Sequence, residues 1–149
     1  MQTFGRIGAI AAVLMSLTGM AAAAEIRVLG VDAVEQAVRA VAADFARETG
    51  HQVVFTIAPP VVVMEKIAAN ETHDAVIVSE PAMDALDRDG IVNPESRVRL
   101  AKDGPTTYEG GLMTDGSVPE AARAFIRFLA EPDARANWVA AKLEPLADH

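Results

Sequence analysis

The sequence predicts an α/β lobe: a three-layer, parallel-sheet arrangement in the order β-α-β-α-β-α, then a hairpin-like strand pair and two C-terminal helices. Three observations lead there. Short β-branched runs alternate with amphipathic stretches long enough to cross over a sheet. The run "DAVIVS" (Asp74 to Ser79) is nearly all apolar, as a strand covered on both faces would be. After residue 96 the pattern changes, and two strand-like runs, "RVRLA" and "TYEGGLM", are joined only by Lys102-Asp103-Gly104-Pro105.

Each element has a local reason. "EIRVLGV" (Glu25 to Val31) is a β-branched run and reads as a strand. In "DAVEQAVRAVAADFARETG", Val34, Val38, Val41, Ala42 and Phe45 recur at helical spacing. Asp32 and Glu35 form a capping pair at its start, and Gly50 is a natural stop. "HQVVFTIA" is the second strand, and Pro60 opens a helix to about Ala69, since proline is tolerated in a first turn. Pro81 opens a short third helix that Gly90 closes. Gly110 and Gly111 weaken the second strand of the hairpin. Ser117 and Glu120 read as a capping box before "PEAARAFIRFLAEP", whose apolar stripe is Ala122, Phe125, Ile126 and Leu129. Pro132 restarts a last helix, Asp133 to about Ala141, which carries Trp138, and "KLEPLADH" trails off.

The first 24 residues stand apart. Arg6, an apolar run from Ile7 to Met20 and a string of alanines up to Ala24 have the three-part form of a secretory signal peptide. An uncleaved anchor is the alternative. The domain organisation is therefore a leader at 1–24 and a single lobe at 25–149, made of 25–100 and 106–149 joined by a turn at 102–105. The formal charge of the whole chain is -8, and the leader's one charge is Arg6, so the remainder is more acidic still. Such a chain lacks the clustered Lys and Arg that nucleic acid or anionic lipid needs. After cleavage no stable membrane insertion is expected. With no cysteine there is no disulfide framework and no thiolate nucleophile or metal site. Export without disulfides suits a periplasmic domain with an adequate core.

Catalytic signals are poor. No G-x-S-x-G, H-E-x-x-H or phosphate-binding glycine loop occurs, and His51, His73 and His149 do not stand at ligand spacing. His51 and His73 read as solvated loop residues and Ser79 as a helix cap. No enzyme activity, metal or cofactor is expected. In a parallel α/β sheet, ligands sit beyond the carboxyl ends of the strands. That places any site on three loops: Asp32 and Ala33; Pro59, Pro60 and Val61; and Ser79 and Glu80.

In their order, these segments resemble the first lobe of periplasmic molybdate-binding proteins, class II solute-binding proteins of ABC importers. The resemblance rests on the strand, the helix ending in "ETG", the strand and short loop after "FTIA", the "DAVIVS" strand and the helix with a "DG" end. The tail "GSVPEAARAFIRFLAEPDARANWVAAKLEP" resembles the family's closing segment. The resemblance implies a lobe of the type II periplasmic-binding-protein fold, a small solute as ligand and an importer membrane component as partner. It also implies that two strands cross to a second lobe and back, where this chain has only the turn at 102–105. By the same alignment, hydroxyl ligands for an oxyanion fall at Ala33 and at Pro59, Pro60 and Val61, none of which carries a hydroxyl. Two prolines remove N–H donors, and Asp32 puts a carboxylate at a helix start that otherwise favours an anion. A cationic or neutral solute, partnered by Asp32 and Glu80, is the expectation. The rival reading is a non-transport interaction module that docks, or forms a homodimer, through the surface a second lobe would cover.

Overall fold

The computed structural model describes residues 22–146, so most of the expected leader and His149 lie outside the described residues. A single mixed sheet runs in the order β2-β1-β3-β5-β4-β6, with β1 (Glu25–Val31), β2 (Gln52–Ala58), β3 (Ala75–Ser79), β4 (Val98–Asp103), β5 (Thr106–Leu112) and β6 (Glu144–Pro145). β1, β2 and β3 are parallel, and β5 returns antiparallel to β3, with β4 antiparallel to β5. The helices are α1 (Glu35–Thr49), α2 (Pro60–Ala68), α3 (Glu80–Arg88), α4 (Pro119–Ala130) and α5 (Arg135–Ala140). The β1–α1–β2 step moves one way along the sheet and β2–α2–β3 moves the other. Right-handed crossovers therefore put α1 and α2 on opposite faces. This is the predicted three-layer lobe.

The core follows the apolar pattern. Val34, just before α1, and Val38, Val41 and Phe45 of α1 are buried, as are Phe125, Ile126 and Leu129 of α4. Phe45 meets Phe125 and Phe128 with ring centroids 5.3 Å apart. Trp138 is buried and donates its indole N–H to the Leu129 carbonyl at 2.9 Å. Gly50 ends α1 at φ 79°, a left-handed stop that glycine adopts without strain.

β4 and β5 form a tight hairpin in which Asp103 faces Thr106, with only Gly104 and Pro105 at the tip. No chain is left between the two strands for a further lobe. The glycine pair in β5 has a packing role that outweighs its weak strand propensity. A methyl group at Gly110 would stand 3.0 Å from Ile126 of α4, and one at Gly111 would stand 2.8 Å from Val92 and 3.3 Å from Met83 of α3. Successive strand residues point to opposite faces, so the pair lets both helix layers close on the middle of the sheet. Gly111→Ala should lower stability by about 1–3 kcal/mol, the usual cost of overpacking, read by urea unfolding with Trp138 fluorescence.

Several local expectations are corrected. Asp32 and Glu35 do not cap α1. Asp32–Val34 forms a 3-10 turn, the helix starts after Val34 without a side-chain cap, and the Glu35 carboxylate turns to Arg39 at 3.1 Å. Ser117 and Glu120 form no capping box, because the Ser117 hydroxyl donates to Asp74 at 3.2 Å. Ser79 occupies the N-cap position of α3 but makes no side-chain cap bond. The tail does not trail off. Glu144–Pro145 adds β6 to the edge of β4, and the Leu146 amide bonds the Leu100 carbonyl at 3.0 Å. His51 stacks on Phe45 at 5.8 Å and accepts a bond from the Ala24 amide at 3.0 Å. His73 is buried, and that burial holds its pKa below the ordinary histidine value.

Candidate functional site

The strand order reverses direction between β1 and β3, and there, beyond the carboxyl ends of both strands, lies a cavity of about 260 Å³. Crevices at such switch points are the usual ligand sites of parallel α/β sheets. Val31 and Val78, at the strand ends, and Met64 and Ala82, on α2 and α3, supply apolar walls. Thr106 and Tyr108, from the start of β5, close the remaining side. A larger open groove of about 480 Å³ lies at the opposite end of β1, but alanines and a proline make up most of its wall.

The seven residues expected at the site divide into two groups. Pro60 and Ser79 line the cavity itself. Asp32, Ala33, Pro59 and Val61 are exposed on the face around it, and Glu80 is half-buried. Val61 is 70% exposed, high for a valine on a helix. Glu80 is already engaged, its carboxylate lying 3.7 Å from the Arg99 guanidinium. No group of three or more His, Cys, Asp or Glu side chains suited to a metal ion occurs among the described residues.

Sequence reasoning missed Tyr108. The hairpin brings it beside β3, where it pairs with Ser79, so a residue far along the chain joins the loop after β3. Its side chain is 9% exposed. Burial, then the nearby charges of Asp103 and Asp32, push its phenol above the usual pKa of 10.0. The phenol therefore stays protonated at physiological pH, with two carboxylates close by. No local pattern marks this: only the pairing of β5 with β3 brings Tyr108 beside the loop that follows β3.

A single mixed sheet covered by helices on both faces, with a cavity at its switch point, is the architecture of a periplasmic-binding-protein lobe. The profile of the bacterial extracellular solute-binding protein family matches residues 26–106, and the chain belongs to that family. Among solved structures, the substrate-binding domain assigned to a molybdenum ABC transporter from Clostridium difficile aligns at TM-score 0.72 and 8% identity, covering 83% of this chain and 100% of that one. The sulfate-binding protein SubI from Mycobacterium tuberculosis aligns at TM-score 0.70 and 12% identity, covering 83% of this chain and 87% of that one. Iron-bound HitA from Pseudomonas aeruginosa aligns at TM-score 0.68 and 9% identity, with the same coverage of 83% and 87%. These likenesses establish the fold, and the resemblance to the molybdate-binding type read in the sequence holds at that level. No curated protein matches the chain significantly. No described helix is long and apolar enough to cross a membrane.

Proposed function

We propose that the chain is exported to the periplasm through the leader at 1–24 and there binds a small solute in the cavity between β1, β3 and β5. It acts as the solute-binding component, or a one-lobe relative of that component, of an ABC importer. The observation that supports this most is the position of the cavity, at the one place where a sheet of this topology collects loops from several strands. Its local chemistry disfavours the molybdate-type ligand. α2 opens on Pro59-Pro60, which removes N–H donors where an anion would bind. Asp32 adds negative charge. A neutral or cationic solute fits better, with Asp32 as its partner. Glu80 contributes less than expected, because the Arg99 guanidinium already stands 3.7 Å from its carboxylate.

The test is a thermal melt of protein purified from the periplasm, against molybdate, tungstate, sulfate and cationic solutes at matched ionic strength. A true ligand at about 100 times its dissociation constant adds about 2.7 kcal/mol, a rise on the order of 10 °C for a domain of this size. Asp32→Ala should remove that rise for a cationic solute. Unchanged binding in the variant would sink the role given to Asp32.

The exposure of Val61, beside Pro59 and Pro60 on the same face, supports a second reading. There the face docks on a partner or on a second copy, with Val61 as its exposed apolar contact. Sedimentation velocity over a concentration series separates the two. A dimer that forms without solute favours docking, and a monomer that binds solute favours the first reading.

A further inference from the structure

We infer that the cavity selects a small organic cation, with an ammonium or guanidinium head seated at the Tyr108 hydroxyl on the side of Asp32 and Asp103 and an apolar tail against Met64 and Ala82. The inference rests on the reading that this cavity is the solute site, and it names the class of solute and two residues that recognise it.

Tyr108 is nine-tenths buried, yet its hydroxyl has no hydrogen-bond partner among the described residues. No fully buried side-chain oxygen or nitrogen among those residues lacks a partner, so the phenol oxygen is not sealed in. It opens into the cavity that its ring helps to line. A hydroxyl at the edge of an otherwise buried ring can both donate to and accept from whatever enters the cavity.

The second line of support is charge. Asp32 directly follows Val31 of the cavity wall, and Asp103 lies across the hairpin from Thr106. Neither carboxylate has a cationic side chain within 4.0 Å among the described residues, whereas Glu80 has Arg99. Lys102 adjoins Asp103 in sequence, but neighbours on a strand point to opposite faces. Both carboxylates lie near enough to Tyr108 to disfavour its phenolate. A protonated phenol with two carboxylates on nearby strand ends, neither paired to a cation among the described residues, offers lone pairs and negative charge together, which suits an N–H donor carrying positive charge. An oxyanion at the same point meets repulsion from both carboxylates. The cavity volume of about 260 Å³ lies just below the usual range for small-molecule pockets, which limits the tail to a few carbons.

Tyr108 is the chain's single tyrosine, so its ultraviolet titration reports on the site directly. The probes are n-butylammonium, n-butylguanidinium and tetramethylammonium chlorides, with n-butanol as the neutral arm and sodium molybdate as the anionic arm, at one ionic strength. An ammonium or guanidinium probe should raise the melting temperature and lower the pH at which Tyr108 ionises. Tyr108→Phe and Asp103→Asn should each weaken binding about tenfold, the loss typical of a hydrogen bond to a charged group. If Tyr108→Phe fails to fold, Asp103→Asn, at an exposed hairpin position, decides the matter. A melt raised by molybdate or butanol but not by the cations overturns the cation assignment and leaves the solute site standing. A melt that no probe moves overturns both.

Discussion

Arg97→Met should destabilise the protein by about 3–5 kcal/mol, the cost of leaving a buried charge without its partner. Arg97 stands just before β4 and reaches across to β5 and α3. Its Nη2 donates to Glu109 Oε2 at 2.9 Å and to Asp84 at 2.6 Å, Nε donates to Glu109 Oε1 at 3.3 Å, and Nη1 donates to Asp87 at 3.0 Å. The bond to Glu109 raises the already high pKa of the guanidinium, so the group is always charged. Glu109 is buried in the middle of β5 beside the two glycines, where an unpaired carboxylate meets little water. The forked geometry matters as much as the charge, so Arg97→Lys should recover only part of the loss. The double variant Arg97→Met with Glu109→Met removes both charges and should be more stable than Arg97→Met alone. Urea unfolding followed through Trp138 measures all three variants. If the single variant loses less than about 1 kcal/mol, the pair behaves like an exposed ion pair.

Asp74→Ala should cost about 3 kcal/mol, through donors left without an acceptor rather than through charge. Asp74 is 2% exposed at the start of β3, and its carboxylate accepts from four donors. The Arg27 amide reaches Oδ2 at 2.8 Å, while the Ser117 amide at 2.8 Å, the Ser117 hydroxyl at 3.2 Å and the Val118 amide at 3.3 Å share Oδ1. One side chain thus joins β1 to the segment that leads into α4. Asp74→Asn keeps one acceptor and sets an NH2 group against either the Arg27 amide or the Ser117 cluster, so it should lose roughly half as much. Hydrogen exchange at the Ser117 and Val118 amides gives a local reading. Both should lose protection in either variant before the amides of β1 do. Equal protection in Asp74→Ala and the unaltered protein would show that these amides are held by other means.

The order of elements was legible because it depends on local pattern. The β-branched runs of β1 and β2, the apolar run of β3 and the 3.6-residue stripes of α1 and α4 each carry their own signal. The hairpin was legible from the shortness of the turn between its strands. What escaped depends on distant partners. Ser117 looks like a cap until Asp74, far back in the sequence, is seen to claim its hydroxyl. Glu144 and Pro145 have no strand signal, since β6 exists only because β4 offers an edge to pair with. His73 reads as a loop residue until the fold covers it. At the candidate site, Pro60 and Ser79 were legible from the rule that strands end at the ligand. Tyr108 was not, because the antiparallel β5 brings it to that end from the other direction, and Asp103 was not, because only the pairing of β4 with β5 sets its strand end beside Thr106.

The two-residue tip at Gly104 and Pro105 is also a place where the chain can be opened. Exposed tips between paired strand ends accept inserted domains, because the added chain touches no core contact. The adjoining Thr106 lines the cavity, so a fluorescent module spliced into this tip would stand one residue from the site. Ligand occupancy and reporter geometry would then share a short, stiff piece of backbone. The hairpin that makes this lobe compact thus also offers a position from which to build a sensor for whatever solute the cavity holds.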